Sequence, residues 1–67
     1  MKNVIGEAAG DIWRYLSNNG DSTFTALKKN IKRNPNELCL ALGWLSREGK
    51  IEIEPKSKND INIHLNE

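Results

Sequence analysis

A single cysteine, Cys39, leaves no partner for an internal disulfide, so nothing in the chain needs an oxidising compartment. No apolar run approaches the roughly 18 residues of a membrane span. Glu7 and Asp11 interrupt the apolar stretch behind Lys2, so the N-terminus lacks the hydrophobic region of a signal peptide. A cytoplasmic protein with no membrane role is expected. Catalytic chemistry is equally sparse. The one histidine, His64, and Cys39 lie far apart in sequence, and neither has the clustered partners of a nucleophile–base pair or a zinc site. There is no glycine-rich phosphate loop and no paired-carboxylate arrangement. The expectation is therefore no enzyme, no metal and no cofactor.

Charge of one sign is also scarce overall, with a net +1 over 67 residues. It is unevenly placed. Residues 21–33 carry Lys28, Lys29, Lys32 and Arg33 against Asp21 alone, a local +3, whereas residues 34–49 and 50–67 are each −1. At this length a chain buries only about 60% of its unfolded surface, so it gains from association. With 37% hydrophobic and 28% charged residues, the composition is that of an ordinary globular domain, taken here as one unit over 1–67.

What is present is periodicity. At 100° per residue, Val4, Ile5, Ala8, Ala9, Ile12, Trp13, Tyr15 and Leu16 fall in one half-turn, and Gly6, Glu7, Gly10, Asp11, Arg14, Ser17 and Asn18 in the other. That predicts a surface helix over 3–19, stopped at Gly20, with Trp13 and Tyr15 in the core. A short extended piece, 21–24, precedes a helix over 25–31 with Thr25 as N-cap. Asn34-Pro35-Asn36-Glu37 is a strong start signal, with a cap, a proline at the first position and a glutamate placed to close a capping box. The helix that follows covers 35–48 and stops at Gly49, with Leu38, Ala41, Leu42 and Leu45 on one face. Only Lys32 and Arg33 separate it from the helix before. The remainder alternates apolar with polar residues in Ile51–Glu54 and Ile61–Asn66, predicting a hairpin over 50–66 whose loop is 55–60. Glu52 opposite His64 would make a weak exposed pair. Cys39, on the flank of the third helix, is expected to act as a small packing residue.

Helix, short strand, helix, helix, hairpin is the winged helix-turn-helix order: α+β, mainly α, with a wing and a short third strand against it. An unrelated small α+β fold is the competitor. The run Leu38-Cys39-Leu40-Ala41-Leu42-Gly43-Trp44-Leu45, followed by Arg47-Glu48-Gly49-Lys50-Ile51, resembles winged helix domains. With the long first helix, the chain most resembles a family of short stand-alone bacterial and archaeal winged helix-turn-helix proteins with no established activity. The resemblance implies a DNA-binding role and a tendency to self-associate.

Double-stranded DNA is thus one expected partner. Lys28, Lys29, Lys32 and Arg33, with Lys56 and Lys58 at the wing tip, are the candidate phosphate contacts, and Asn36 and Arg47 the candidate base readers. A merely solvated charge run is the plain alternative. Leu40 and Trp44, four apart on the outward face of the third helix, are poor base readers. They form instead an apolar stripe suited to a homodimer or another protein partner, unless Trp44 folds back onto the wing as core.

Overall fold

A computed structural model describes the backbone of residues 2–66 and the side chains of residues 4–66. Met1 and Glu67, the ends of the expected 1–67 unit, lie outside the described residues. The elements run α1 (Lys2–Asn19), β1 (Ser22–Thr23), α2 (Phe24–Asn30), α3 (Pro35–Arg47), β2 (Ile51–Ser57) and β3 (Asp60–Leu65). The three strands form one antiparallel sheet in the order β1-β3-β2.

The helix ends follow from local chemistry. Gly20 and Gly49 both adopt positive φ, 78° and 75°, a conformation that disfavours any residue with a Cβ. After α1 a single bond runs from Gly20 N–H to Leu16 O. After α3 the pair Gly49 N–H to Ser46 O and Lys50 N–H to Leu45 O makes a Schellman motif. At the start of α3, Asn34 Oδ1 accepts from Asn36 N–H at 2.8 Å and Pro35 occupies the first turn. The expected capping box does not close this way, because Glu37 accepts from Arg33 Nη1 at 3.4 Å. At α2 the cap is Thr23 and not Thr25. Thr23 Oγ1 accepts from Ala26 N–H at 3.1 Å, so the cap lies two residues earlier than expected and the helix begins at Phe24, one residue before the expected 25. Thr25 N–H instead donates to Asp60 Oδ1, fastening the start of β3 to α2.

The core gathers Ala8, Ala9, Ile12 and Leu16 of α1, Leu27 of α2, Ile31, and Leu38, Ala41, Leu42 and Leu45 of α3. It closes on Ile51 and Ile63 of the sheet. The α3 face is the one its sequence predicts. On α1 one correction is needed. Tyr15 packs partly buried against the core, but Trp13 is 49% exposed. Trp13 sits about 180° from Val4 at 100° per residue, at the rim of the apolar arc, where periodicity alone does not decide burial.

The wing also departs from expectation. Pro55, Lys56 and Ser57 belong to β2, and only Lys58 and Asn59 form the turn. Pro55 is tolerated because β2 is an edge strand, where a missing N–H costs no ladder bond. Pro55 pairs with Ile61 and Ser57 with Asp60, so Lys56 is the extra residue of a bulge. No residue of the turn has positive φ, so the primed turns that usually close two-residue hairpins are not used. A bulge at Lys56, a feature that sharpens local strand twist, stands beside the turn instead.

Candidate nucleic-acid interface

With Leu38, Ala41, Leu42 and Leu45 turned inward, α3 presents Asn36, Cys39, Leu40, Gly43, Trp44 and Arg47 outward, all exposed. Asn36 stands in the first turn and Arg47 in the last. Between them Leu40 is 53% and Trp44 47% exposed, so Trp44 does not fold back as core. Cys39 is exposed as well, contrary to its expected packing role. It lies at the lip of an apolar cleft of about 240 Å³ lined by Phe24, Leu42, Gly43, Ile53 and Ile61. A second hollow continues past Cys39 and Pro55 to Lys58 at the wing tip.

Lysines border this region from two elements, α2 and the wing. The Lys28 ammonium lies 5.2 Å from the centroid of the Phe24 ring, a cation–π contact at the cleft wall. Lys58 borders the same hollow from the wing, and Lys56 is pushed out by the bulge beside it. Lys28, Lys29, Lys32, Lys56 and Lys58 are all exposed, and none has a carboxylate within 4 Å among the described residues. Lys28 and Lys29 also occupy the last turn of α2, where positive charge suits the helix dipole.

Arg33 is placed differently from the lysines. Its side chain is only 22% exposed, and its guanidinium meets Asp11 Oδ2 at 2.6 Å, Glu37 Oε1 at 3.4 Å and Glu7 Oε1 at 3.5 Å. It joins the helix-turn-helix connection to the outer face of α1 and holds Glu37 of the same helix-turn-helix unit in an ion pair. The Arg33 hydrogen bond holds the Asp11 carboxyl below the usual carboxylate range, outweighing the burial that opposes it, and the Arg33 and Arg14 charges act in the same direction. A carboxyl whose folded pKa is depressed stabilises the fold at pH values above its unfolded pKa, and that contribution disappears as pH falls through the folded pKa. Stability should therefore drop below the ordinary Asp value of 3.8. Asp11→Asn is expected to lower Tm by a few degrees at neutral pH and to flatten the acid limb. Thermal unfolding followed by circular dichroism from about pH 6 to about pH 2 measures both. Parallel acid limbs in the two proteins would refute this role for Asp11.

The sequence treats His64 as an isolated surface residue facing Glu52. The register does pair Glu52 with His64, and Nε2 lies 3.5 Å from Glu52 Oε1. His64 is not isolated, however. Asp21 Oδ2 approaches its Nδ1 at 3.6 Å, and Glu54 lies close by. The contact with Asp21 depends on β1 pairing beside β3, a tertiary event that neither segment signals by itself.

No helix among the described residues is long and apolar enough to cross a membrane. The family described as "Winged helix-turn-helix domain (DUF2582)" matches residues 1–64. Among curated proteins, the "Uncharacterized protein MJ1608" of Methanocaldococcus jannaschii is 36% identical over 56 residues, covering 79% of each chain. No solved structure matches. Three helices, a sheet ordered β1-β3-β2 and a match over nearly the whole length agree: the chain belongs to the DUF2582 winged helix-turn-helix family.

Proposed function

We propose that this chain is a non-enzymatic regulatory module that binds double-stranded DNA, gripping it mainly by its phosphates. The observation that carries this is the setting of α3. Its outward face is free of the core, and five exposed lysines without carboxylate partners among the described residues come from α2, the turn and the wing. In this arrangement α3 enters the major groove while Lys28, Lys29, Lys32, Lys56 and Lys58 contact phosphates. Asn36 and Arg47 are the base readers at the two ends of α3, and Leu40 between them offers contact to thymine methyls. Two polar readers with an apolar middle give weak sequence discrimination. Arg33, equal to the lysines by charge alone, acts here as a brace and not as a phosphate contact. A lone cysteine suits action in the reducing cytoplasm.

A second use of the same face is favoured by the exposure of Leu40 and Trp44, which suits contact with a second copy of the chain. One experiment separates the two. Fluorescence anisotropy of a labelled duplex, repeated across salt concentrations, should show binding whose log K falls against log salt with a slope of about −4.5, from about −0.9 for each of the five lysines. Sedimentation of the free chain is run alongside. No duplex binding at about 50 mM salt would end the DNA proposal. A doubled mass restored to monomer by Leu40→Lys would then put self-association in its place.

A further inference from the structure

We infer that the outer face of the wing holds a binding site for a borderline divalent metal ion of the zinc class, formed by Glu52, Glu54 and His64. The three come from adjacent antiparallel strands, and one ligand atom from each lies within 4.8 Å of the others. Alternation along the strands explains the grouping. Ile51 and Ile63 point to the core, so Glu52, Glu54 and His64 stand together on the opposite face.

The spacing is what favours a metal over simple pairing. His64 Nε2 and Glu52 Oε1 are 3.5 Å apart, at the outer limit for a hydrogen bond. Two ligands on a tetrahedral ion with bonds of about 2.1 Å are separated by about 3.4 Å, close to this distance. The other imidazole nitrogen, Nδ1, faces Asp21 Oδ2 at 3.6 Å. At that distance Asp21 makes no hydrogen bond, but it stands on the side where a metal-bound histidine usually finds its outer carboxylate partner. His64 is also the most enclosed member of the set, its side chain 25% exposed against 56% for Glu52 and 63% for Asp21. Among the described residues no lysine or arginine pairs with Asp21, Glu52 or Glu54. Three carboxylates thus converge on one imidazole with no fixed cation to balance them. An ion would offset that repulsion. An imidazole ligand selects zinc-class ions over magnesium, which prefers oxygen alone. Bound there, the ion ties β2 to β3 and, through Asp21, to the loop that leads into β1.

The test is calorimetric titration of the full chain with zinc chloride at about pH 7, with amide and imidazole NMR shifts recorded in parallel. One ion per chain is expected, with the largest shifts at His64, Glu52, Glu54 and Asp21, and with Tm raised by several degrees. His64→Gln, or Glu52→Gln combined with Glu54→Gln, should weaken binding by about tenfold or more. Cys39→Ser, on a different face, should leave it unchanged. Core methyl shifts report that each variant keeps its fold. The site is refuted by no saturable binding up to about 1 mM zinc, a concentration that reaches only about 4 kcal/mol of affinity. It is equally refuted by binding that survives His64→Gln, by binding that Cys39→Ser removes, or by magnesium chloride producing the same shifts.

Discussion

Changing Lys28, Lys29 and Lys32 together to glutamate is expected to reduce duplex affinity by about a hundredfold at low salt, with the loss shrinking as salt rises. Each lysine that releases a phosphate counterion contributes about −0.9 to the slope of log K against log salt, so the neutral triple variant, with glutamine at all three positions, should flatten it by nearly 3. Glutamate goes further because it adds repulsion to the lost attraction. The neutral variant is needed as well, since Lys28 and Lys29 lie in the last turn of α2 and negative charge there costs about 0.3–1 kcal/mol per residue through the helix dipole. The wing supplies an independent arm. Lys56→Gln with Lys58→Gln should lower the slope by nearly 2 without touching any helix. If the duplex binds and neither set of changes alters its salt dependence, the phosphate contacts lie elsewhere on the molecule. Arg33→Gln serves as the contrast. Its effect should appear in thermal stability, because its guanidinium already meets three carboxylates.

The second large effect concerns two leucines only two positions apart. Leu38 is fully buried, whereas Leu40 is 53% exposed. Leu38→Ala removes a side chain that α3 inserts into the common core and leaves a cavity that rigid neighbours fill only in part, at a cost of about 3 kcal/mol. A domain of this size has about 3–10 kcal/mol of stability in all, so the variant should lose about 12–24 °C in Tm and approach unfolding at physiological temperature. Leu40→Ala should stay within about 0.5 kcal/mol of the parent protein. Urea and thermal denaturation compare the pair directly. A large loss at Leu40 would mean that its exposed side chain is covered in solution, which is the outcome a self-associating chain would give.

Much of this fold can be read from residues that have no alternative use. Pro35 after Asn34, and glycines at 20 and 49, are local signals, and local physics sets both α3 ends and the end of α1 where they point. The strict alternation around Ile51 and Ile63 likewise puts Glu52 and His64 on the same outer face, and the register then sets them opposite each other. The failures share a cause, since each depended on what another segment does. Trp13 sits at the edge of an arc, and only the width of the partner surface decides whether it is covered. Thr23 caps α2 while Thr25 turns to Asp60, a choice made by a residue 35 positions away. Pro55 stays within a strand because nothing pairs beyond it. At the candidate interface, charge count alone ranks Arg33 with the lysines, and only the approach of Glu7 and Asp11 from α1 separates them.

The outer rim of the wing has a bearing on how the molecule behaves when crowded. An open strand edge invites a neighbouring chain to extend the sheet, the first step toward fibrils. Along β2 such a neighbour would meet a residue with no amide hydrogen at Pro55, and immediately after it the kink around Lys56. A growing ladder loses its register there, so the two features that shape the wing tip also discourage one molecule from templating the next.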